Sequence, residues 1–277
     1  QLASTAIAAA MQQAGLKGED ISEAIIGCVL PAGLGQAPAR QAVLGAGLPK
    51  NIPTSTLNKV CGSGMKAVML AHDQIVAGSA DIMIAGGMES MTNAPHLLPK
   101  ARLGYRYGHV KMLDHMAFDG LENAYDGKSM GIFADATAAK YGFTREQQDA
   151  FATESVKRAQ RAVADGSFKA EIAGVTTKGK TGDVIIDTDE TPGLCRPDKI
   201  PSLKPAFNKD GTVTAATSSS ISDGAAALIL MRESEATKRG IKPIARIVGH
   251  ASNAHEPEWF TTAPIGAIDK LQKKLGW

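Results

Sequence analysis

The hydrophobic positions of this chain change period repeatedly, and each change marks an element. Up to Ala14 the apolar residues recur at helical spacing. An apolar stretch near Ala24 to Val29 reads as a strand, and a second helical pattern lies near Ala39 to Ala46. Ile52 to Val60 reads extended, with Thr54, Thr56 and Val60 favouring β structure. Met65, Val68, Met69, His72, Ile75 and Val76 then follow at helical spacing and predict a helix. Asp81 to Ala85 is a short apolar run of the kind buried in parallel sheets. This alternation predicts stacked βαβ units.

The pattern loosens after residue 92. Residues 93 to about 221 are richer in Lys, Gly and Asp, with one clear amphipathic helix from Arg145 to Ala164 among loops. This stretch reads as an insertion. Core patterning returns with a helix predicted over Asp223 to Ala227, running into an apolar strand from Ala227 to Met231. The hydroxyls of Ser218, Ser219 and Ser220 are placed to cap that helix, with Asp223 as an acid of its first turn. From Pro243 a new unit is expected, with a strand over Ile244 to Gly249 and a helix over Gly266 to Leu275.

Candidate chemistry concentrates where the extended run meets the Met65 helix. Asn58-Lys59-Val60-Cys61-Gly62-Ser63-Gly64 sets a cysteine at a helix N-terminus. A thiol there lies among unpaired N–H groups at the positive end of the dipole, which favours the nucleophilic thiolate. Gly62 and Gly64 bring backbone close, and their N–H groups can face a developing oxyanion. A rival reading takes Gly62-x-Gly64-x-x-Ala67 as a dinucleotide fingerprint. Against it, a cysteine before the first glycine has no work in holding a pyrophosphate, and the next strand runs into Gly86-Gly87-Met88-Glu89 without a single acid at its tip. A third reading makes Cys61 a small buried residue at a tight turn.

Composition narrows the class. At 277 residues, 44% hydrophobic and 21% charged, the chain is an ordinary globular sequence able to bury a large core. A net charge of +2 does not argue for nucleic acid. The 3 cysteines form neither a metal cluster nor a disulfide framework, which suits a reducing, cytoplasmic setting. No apolar run reaches membrane-spanning length.

Several blocks, in order, resemble the thiolases, the CoA-dependent acetyltransferases that make or cleave 3-ketoacyl-CoA. They are Gly27 to Gln41, the nucleophile motif Asn58 to Gly64, Ala85-Gly86-Gly87-Met88-Glu89 through Pro95, Phe143 to Phe151, and Val213 to Ala227. The resemblance implies an α/β fold, a βαβαβ core layered α/β/α with an inserted loop domain. It implies a nucleophile-bearing core of residues 1–92 plus 222–242. Residues 93–221 would be the loop domain, and 243–277 the start of a C-terminal domain otherwise largely missing. The chain is expected to be truncated at both ends, because it begins inside a helical pattern without the family's opening strand and the family's later Asn-Glu-Ala-Phe, Gly-His-Pro and second Cys-x-Gly blocks do not occur in it.

The implied function is acetyl-CoA acetyltransferase. Two acetyl-CoA condense reversibly to acetoacetyl-CoA and CoA through an acyl-cysteine at Cys61. A degradative 3-ketoacyl-CoA thiolase, a non-catalytic acyl-CoA binder and a dinucleotide-binding oxidoreductase are the alternatives. The resemblance makes Ser219 a contact of the pantetheine arm, and Ser129, Met130 and Phe260 part of the acyl and pantetheine pocket. Lys199, Lys204 and Arg196 lie near the region that would meet the CoA phosphates. No permanent cofactor and no metal are expected, coenzyme A and acetyl-CoA being substrates. The partners implied are copies of the same chain, in a homodimer or in a homotetramer docked through the loop around Lys100 to Lys111. Nucleic acid and membrane are not among them.

Overall fold

The computed structural model describes residues 1–277. In chain order the elements begin with α1 (Leu2–Ala14), β1 (Glu23–Gly27), α2 (Pro38–Gly45), β2 (Thr54–Leu57), α3 (Ser63–Ala77) and β3 (Ile82–Ser90). The short strands β4 (His96–Leu97) and β5 (Leu113–Asp114) pair with each other. Next come α4 (Met130–Tyr141), α5 (Arg145–Asp165), the hairpin of β6 (Val175–Gly179) and β7 (Gly182–Ile186), and α6 (Glu190–Leu194). The last elements are β8 (Asp223–Met231), α7 (Glu233–Lys238) and α8 (Ala263–Leu275). The chain divides into two compact units, residues 1–120 with 221–250 and residues 121–220 with 251–277. No helix is long and apolar enough to cross a membrane.

In the first unit the sheet order is β2-β1-β3-β8, with β1 parallel to both β2 and β3. Strand alternation sends successive side chains to opposite faces. Ala24, Ile26, Ile82 and Ile84 meet Ala3, Ile7 and Met11 of α1 and Ala39, Ala42 and Val43 of α2. On the other face, Ile25, Met83, Ala85 and Leu230 meet Ala67, Ala71 and Ile75 of α3. The result is the expected α/β/α layering. Each of the large side chains so buried contributes about 1.5–3 kcal/mol.

The structure departs from the sequence reading at definite points. Helix α3 buries Ser63, Ala67, Ala71 and Ile75, and leaves Met65 and Val76 exposed. Small residues let it lie close on the sheet, so size rather than apolarity chooses its inner face. Strand β3 continues past Ala85 to Ser90, because β8 pairs with it antiparallel along its whole length. The segment 223–227 is therefore strand and not helix: nine residues of ladder outweigh the helix preference of an alanine-rich stretch. Asp223 begins that strand, and its carboxylate accepts the Ser90 hydroxyl and the Thr92 N–H. Ser218–Ser220 caps no helix; the preceding 3₁₀ turn Ala215–Thr217 is capped by Thr214, and the Ser218 hydroxyl donates to the Thr214 carbonyl. Residues 244–249 form no strand, and no partner strand lies beside them. Ile244 is fully exposed.

In the second unit α5 starts where the sequence demands. Thr144 accepts the Gln147 N–H, and the Gln147 side chain accepts the Thr144 N–H, a reciprocal cap. Helix α4 packs on the turn Pro257–Thr262: Phe133 meets Phe260 edge to face at 6.4 Å between ring centres, Thr137 bonds Thr261, and Lys140 Nζ stands 3.7 Å above the Trp259 ring.

Strand β8 can pair so closely with β3 because Gly86 has no side chain, since a Cβ there would overlap the Ala226 carbonyl oxygen. Gly86→Ala is expected to lower stability by about 3 kcal/mol, read as a reduced urea midpoint. A midpoint equal to the parent's would show that the β3–β8 ladder tolerates a methyl group.

Candidate active site

Cys61 is exposed and stands directly before Gly62, the residue that opens α3. The turn carrying it is held from several sides. Val60 has φ +46, a left-handed conformation unusual for a β-branched residue and costing about 1–3 kcal/mol. The Asn58 side-chain oxygen accepts the Val60 N–H at 2.8 Å, and the Asn58 amide donates to the Val29 carbonyl. The Ser63 hydroxyl donates to the Val60 carbonyl at 2.6 Å and accepts the Lys59 N–H at 2.8 Å. This mesh fixes the strained residue, so the thiol is presented in one direction.

The glycines serve the turn in ways the motif alone did not reveal. The Gly62 N–H donates to the Lys59 carbonyl within the turn, which removes it from the expected oxyanion donors. The Gly64 N–H lies in the first turn of α3, where no intrahelical acceptor exists. Gly64 faces the sheet, 3.7 Å from Gly87 as a Cβ on it would measure. A Cβ on Gly27 would come within 2.6 Å of Ser63 and 2.7 Å of the Gly64 nitrogen. The close approach thus lies at Gly27 of β1, whose missing side chain admits the start of α3. Glu89, the acid on the next strand, is taken up by the Val29 and Leu30 N–H groups at 2.9 and 3.0 Å. Both facts count against the dinucleotide reading.

The other thiols differ in kind. Cys28 is buried, with its Sγ 3.7 Å from a Glu89 oxygen. Burial, and next the Glu89 carboxylate beside it, pushes the Cys28 thiol up to about 11. It stays a protonated donor at neutral pH. Cys195 is half-buried. Sequence reasoning passed over Asn58, Ser63 and Glu89 as positioning groups. Asn58, two residues before a residue with positive φ, is a recognisable side-chain turn signal. It also passed over buried His115, whose Nδ1 lies 2.6 Å from Asp119 and whose Nε2 accepts the Ala32 N–H.

The expected pocket residues all belong to the second unit, and Cys61 to the first. Ser129 is the N-cap of α4 and accepts the Gly131 N–H; Met130 is the first residue of that helix. Phe260 lies on the turn packed against Phe133, one helical turn beyond Met130. Ser219 is exposed in the connection ahead of β8, and Lys199, Lys204 and Arg196 are exposed in the same unit.

Two predictions follow from the thiols. Iodoacetamide near neutral pH is expected to label Cys61 first and Cys28 last; earlier labelling of Cys28 or Cys195 in folded protein would remove Cys61 as the reactive thiol. The second concerns alkaline stability. The folded Cys28 thiol stays protonated to higher pH than the unfolded one. Its contribution is therefore complete below about pH 9 and is lost as pH rises through about 11. Unfolding free energy should fall by about 2–3 kcal/mol across that window relative to Cys28→Ser, whose hydroxyl does not titrate there. Parallel pH profiles for the two proteins would contradict this.

Comparison with known proteins agrees with this geometry. The family model described as "Thiolase, N-terminal domain" matches residues 1–234. The acetyl-CoA acetyltransferase of Chromobacterium violaceum is 48% identical over the whole chain, which spans 71% of that protein. The probable acetyl-CoA acetyltransferase of Dictyostelium discoideum is 47% identical over the whole chain, which spans 67% of it. The crystal structure of the Acat5 thiolase from Ascaris suum in complex with coenzyme A superposes with a TM-score of 0.92 at 38% identity, covering 99% of this chain and 70% of that one. A glycine-seated cysteine turn on a thiolase-like sheet, within a sequence matched along its length by thiolases, makes this chain a member of the thiolase family.

Proposed function

We propose that the chain belongs to an acetyl-CoA acetyltransferase that condenses two acetyl-CoA to acetoacetyl-CoA and CoA, with Cys61 as the nucleophile. The observation that carries this is the exposed thiol on a strained, hydrogen-bonded turn at the start of α3. The names of the curated relatives supply the acetyl-CoA chemistry. In the first half-reaction the Cys61 sulfur attacks the thioester carbonyl of acetyl-CoA. The carbonyl electrons move onto oxygen, where first-turn N–H groups such as that of Gly64 can meet them. Collapse of that adduct breaks the bond to the CoA sulfur, which leaves as the thiol after taking a proton. The acetyl group remains on Cys61. In the second half-reaction a base removes a proton from the methyl of another acetyl-CoA, the carbanion attacks the acetyl-cysteine carbonyl, and collapse of that adduct breaks the bond to the Cys61 sulfur, releasing acetoacetyl-CoA and the free thiolate. Thiolysis runs the same steps backwards.

Ser129, Met130, Ser219 and Phe260 are assigned to the pantetheine and acyl pocket, and Lys199, Lys204 or Arg196 to the CoA phosphates. Support comes from the CoA carried by the Ascaris suum structure and from the exposed cations of that unit. Self-association through the loop around Lys100 to Lys111 is part of the same reading. The exposed Leu103, Tyr107, Val110 and Met112 support it. The free cysteines favour a reducing compartment such as the cytoplasm.

The test is intact mass after incubation with acetyl-CoA. One added acetyl group is expected, absent in Cys61→Ala. Steady-state condensation by the 277-residue chain should be lower than that of a complete thiolase by several orders of magnitude, because nucleophile and bases act as one unit. The resemblance puts those bases in blocks that these residues do not include. Reversible CoA binding without acetylation would make the protein an acyl-CoA binder. Full turnover would show that other residues supply the bases.

A further inference from the structure

Helix α3 carries a second cluster of chemistry toward its C-terminal end. His72 and Asp73 lie on the helix, and His250 reaches them from the irregular segment after α7. Asp73 Oδ1 is 2.8 Å from His250 Nε2 and 3.3 Å from His72 Nδ1. The two imidazoles meet edge to face, with ring centres 5.2 Å apart. One ligand atom from each of the three residues lies within 4.8 Å of the others. All three residues belong to the first compact unit. His250 is 177 positions from Asp73, so no sequence spacing announces the set.

We propose that His72, Asp73 and His250 bind one late first-row divalent cation, of the zinc class, with water completing its coordination. The donors decide the class: paired imidazoles with one carboxylate suit zinc, nickel and copper, whereas magnesium and calcium want oxygen. Zinc–nitrogen bonds of about 2.0–2.1 Å place neighbouring tetrahedral ligand atoms about 3.3 Å apart. The two measured separations of 2.8 and 3.3 Å already lie near that spacing. The remaining pair closes by side-chain rotation. Asp73 is exposed enough for an ion to enter, while both rings are largely covered. A bound ion would clamp the 241–250 segment, which has no strand partner, onto α3. The site is separate from Cys61, and its test does not use acetyl transfer.

Cobalt(II) titration of the 277-residue chain reads the site directly. Nitrogen and oxygen ligands give visible d–d bands, and thiolates add a near-ultraviolet charge-transfer band. One saturable equivalent with d–d bands, no thiolate band and displacement by zinc is expected. His72→Gln and His250→Gln should each weaken binding by at least about 100-fold, the upper end of what losing an outer-sphere partner costs. Far-UV circular dichroism checks that both variants fold, and Cys61→Ser should bind cobalt as the parent does. Zinc should raise the melting temperature of the parent and of neither histidine variant. Absence of saturable binding, a thiolate band lost in Cys61→Ser, or binding unchanged in both histidine variants would overturn the proposal.

Discussion

The seat of the α3 N-terminus on glycine backbone is the constraint on which the rest of the active-site architecture depends. Gly27 on β1 and Gly87 on β3 leave the space that Ser63 and Gly64 occupy. With a side chain on either strand the helix would stand off the sheet, and the turn that presents Cys61 would shift with it. Close seating also explains the inner face of the helix. Ala67 and Ala71 continue the small-residue contact, and Ile75 joins them in the same buried cluster. The larger Met65 and Val76 are left outside.

A second layer of polar contacts turns this seat into a rigid mount. Glu89 on β3 grips the loop after β1 through the Val29 and Leu30 N–H groups. That loop offers the Val29 carbonyl to Asn58, and Asn58 holds the Val60 N–H. The path runs from the sheet to the strained residue beside Cys61 without leaving hydrogen-bonding distance. Strain at Val60 persists because its surroundings over-determine it. Charge is used economically along the path. Burial, and after it the same Glu89 that orders the loop, keeps the Cys28 thiol protonated, while Cys61 is exposed.

Antiparallel pairing of β8 with β3 closes one side of the sheet and depends on small residues as well. Gly86 faces Ala227 and Gly87 faces Ala226 across the ladder. Glycine at these positions thus serves the helix on one side and the neighbouring strand on the other. This explains why Gly86-Gly87 interrupts an otherwise apolar strand without ending it.

Much of the fold was legible in the chain. Apolar pattern located α1, β1, α2, α3, α5 and α8, because local spacing carries the period of each element. The candidate nucleophile Cys61 could be singled out as well, since it stands between an extended run and a helix and is followed by glycines. Long-range pairing decided what was misread. Residues 223–227 have the local preference of a helix and become strand through a partner more than a hundred positions away. Residues 244–249 have strand preference and find no partner. The metal-ligating geometry of His72, Asp73 and His250, and the grip of Glu89 on the Val29 loop, likewise bring together residues far apart in sequence. Local preference and period are written in neighbouring residues. Ladder partners, close backbone approach and converging polar atoms exist only once the sheet has brought distant segments together.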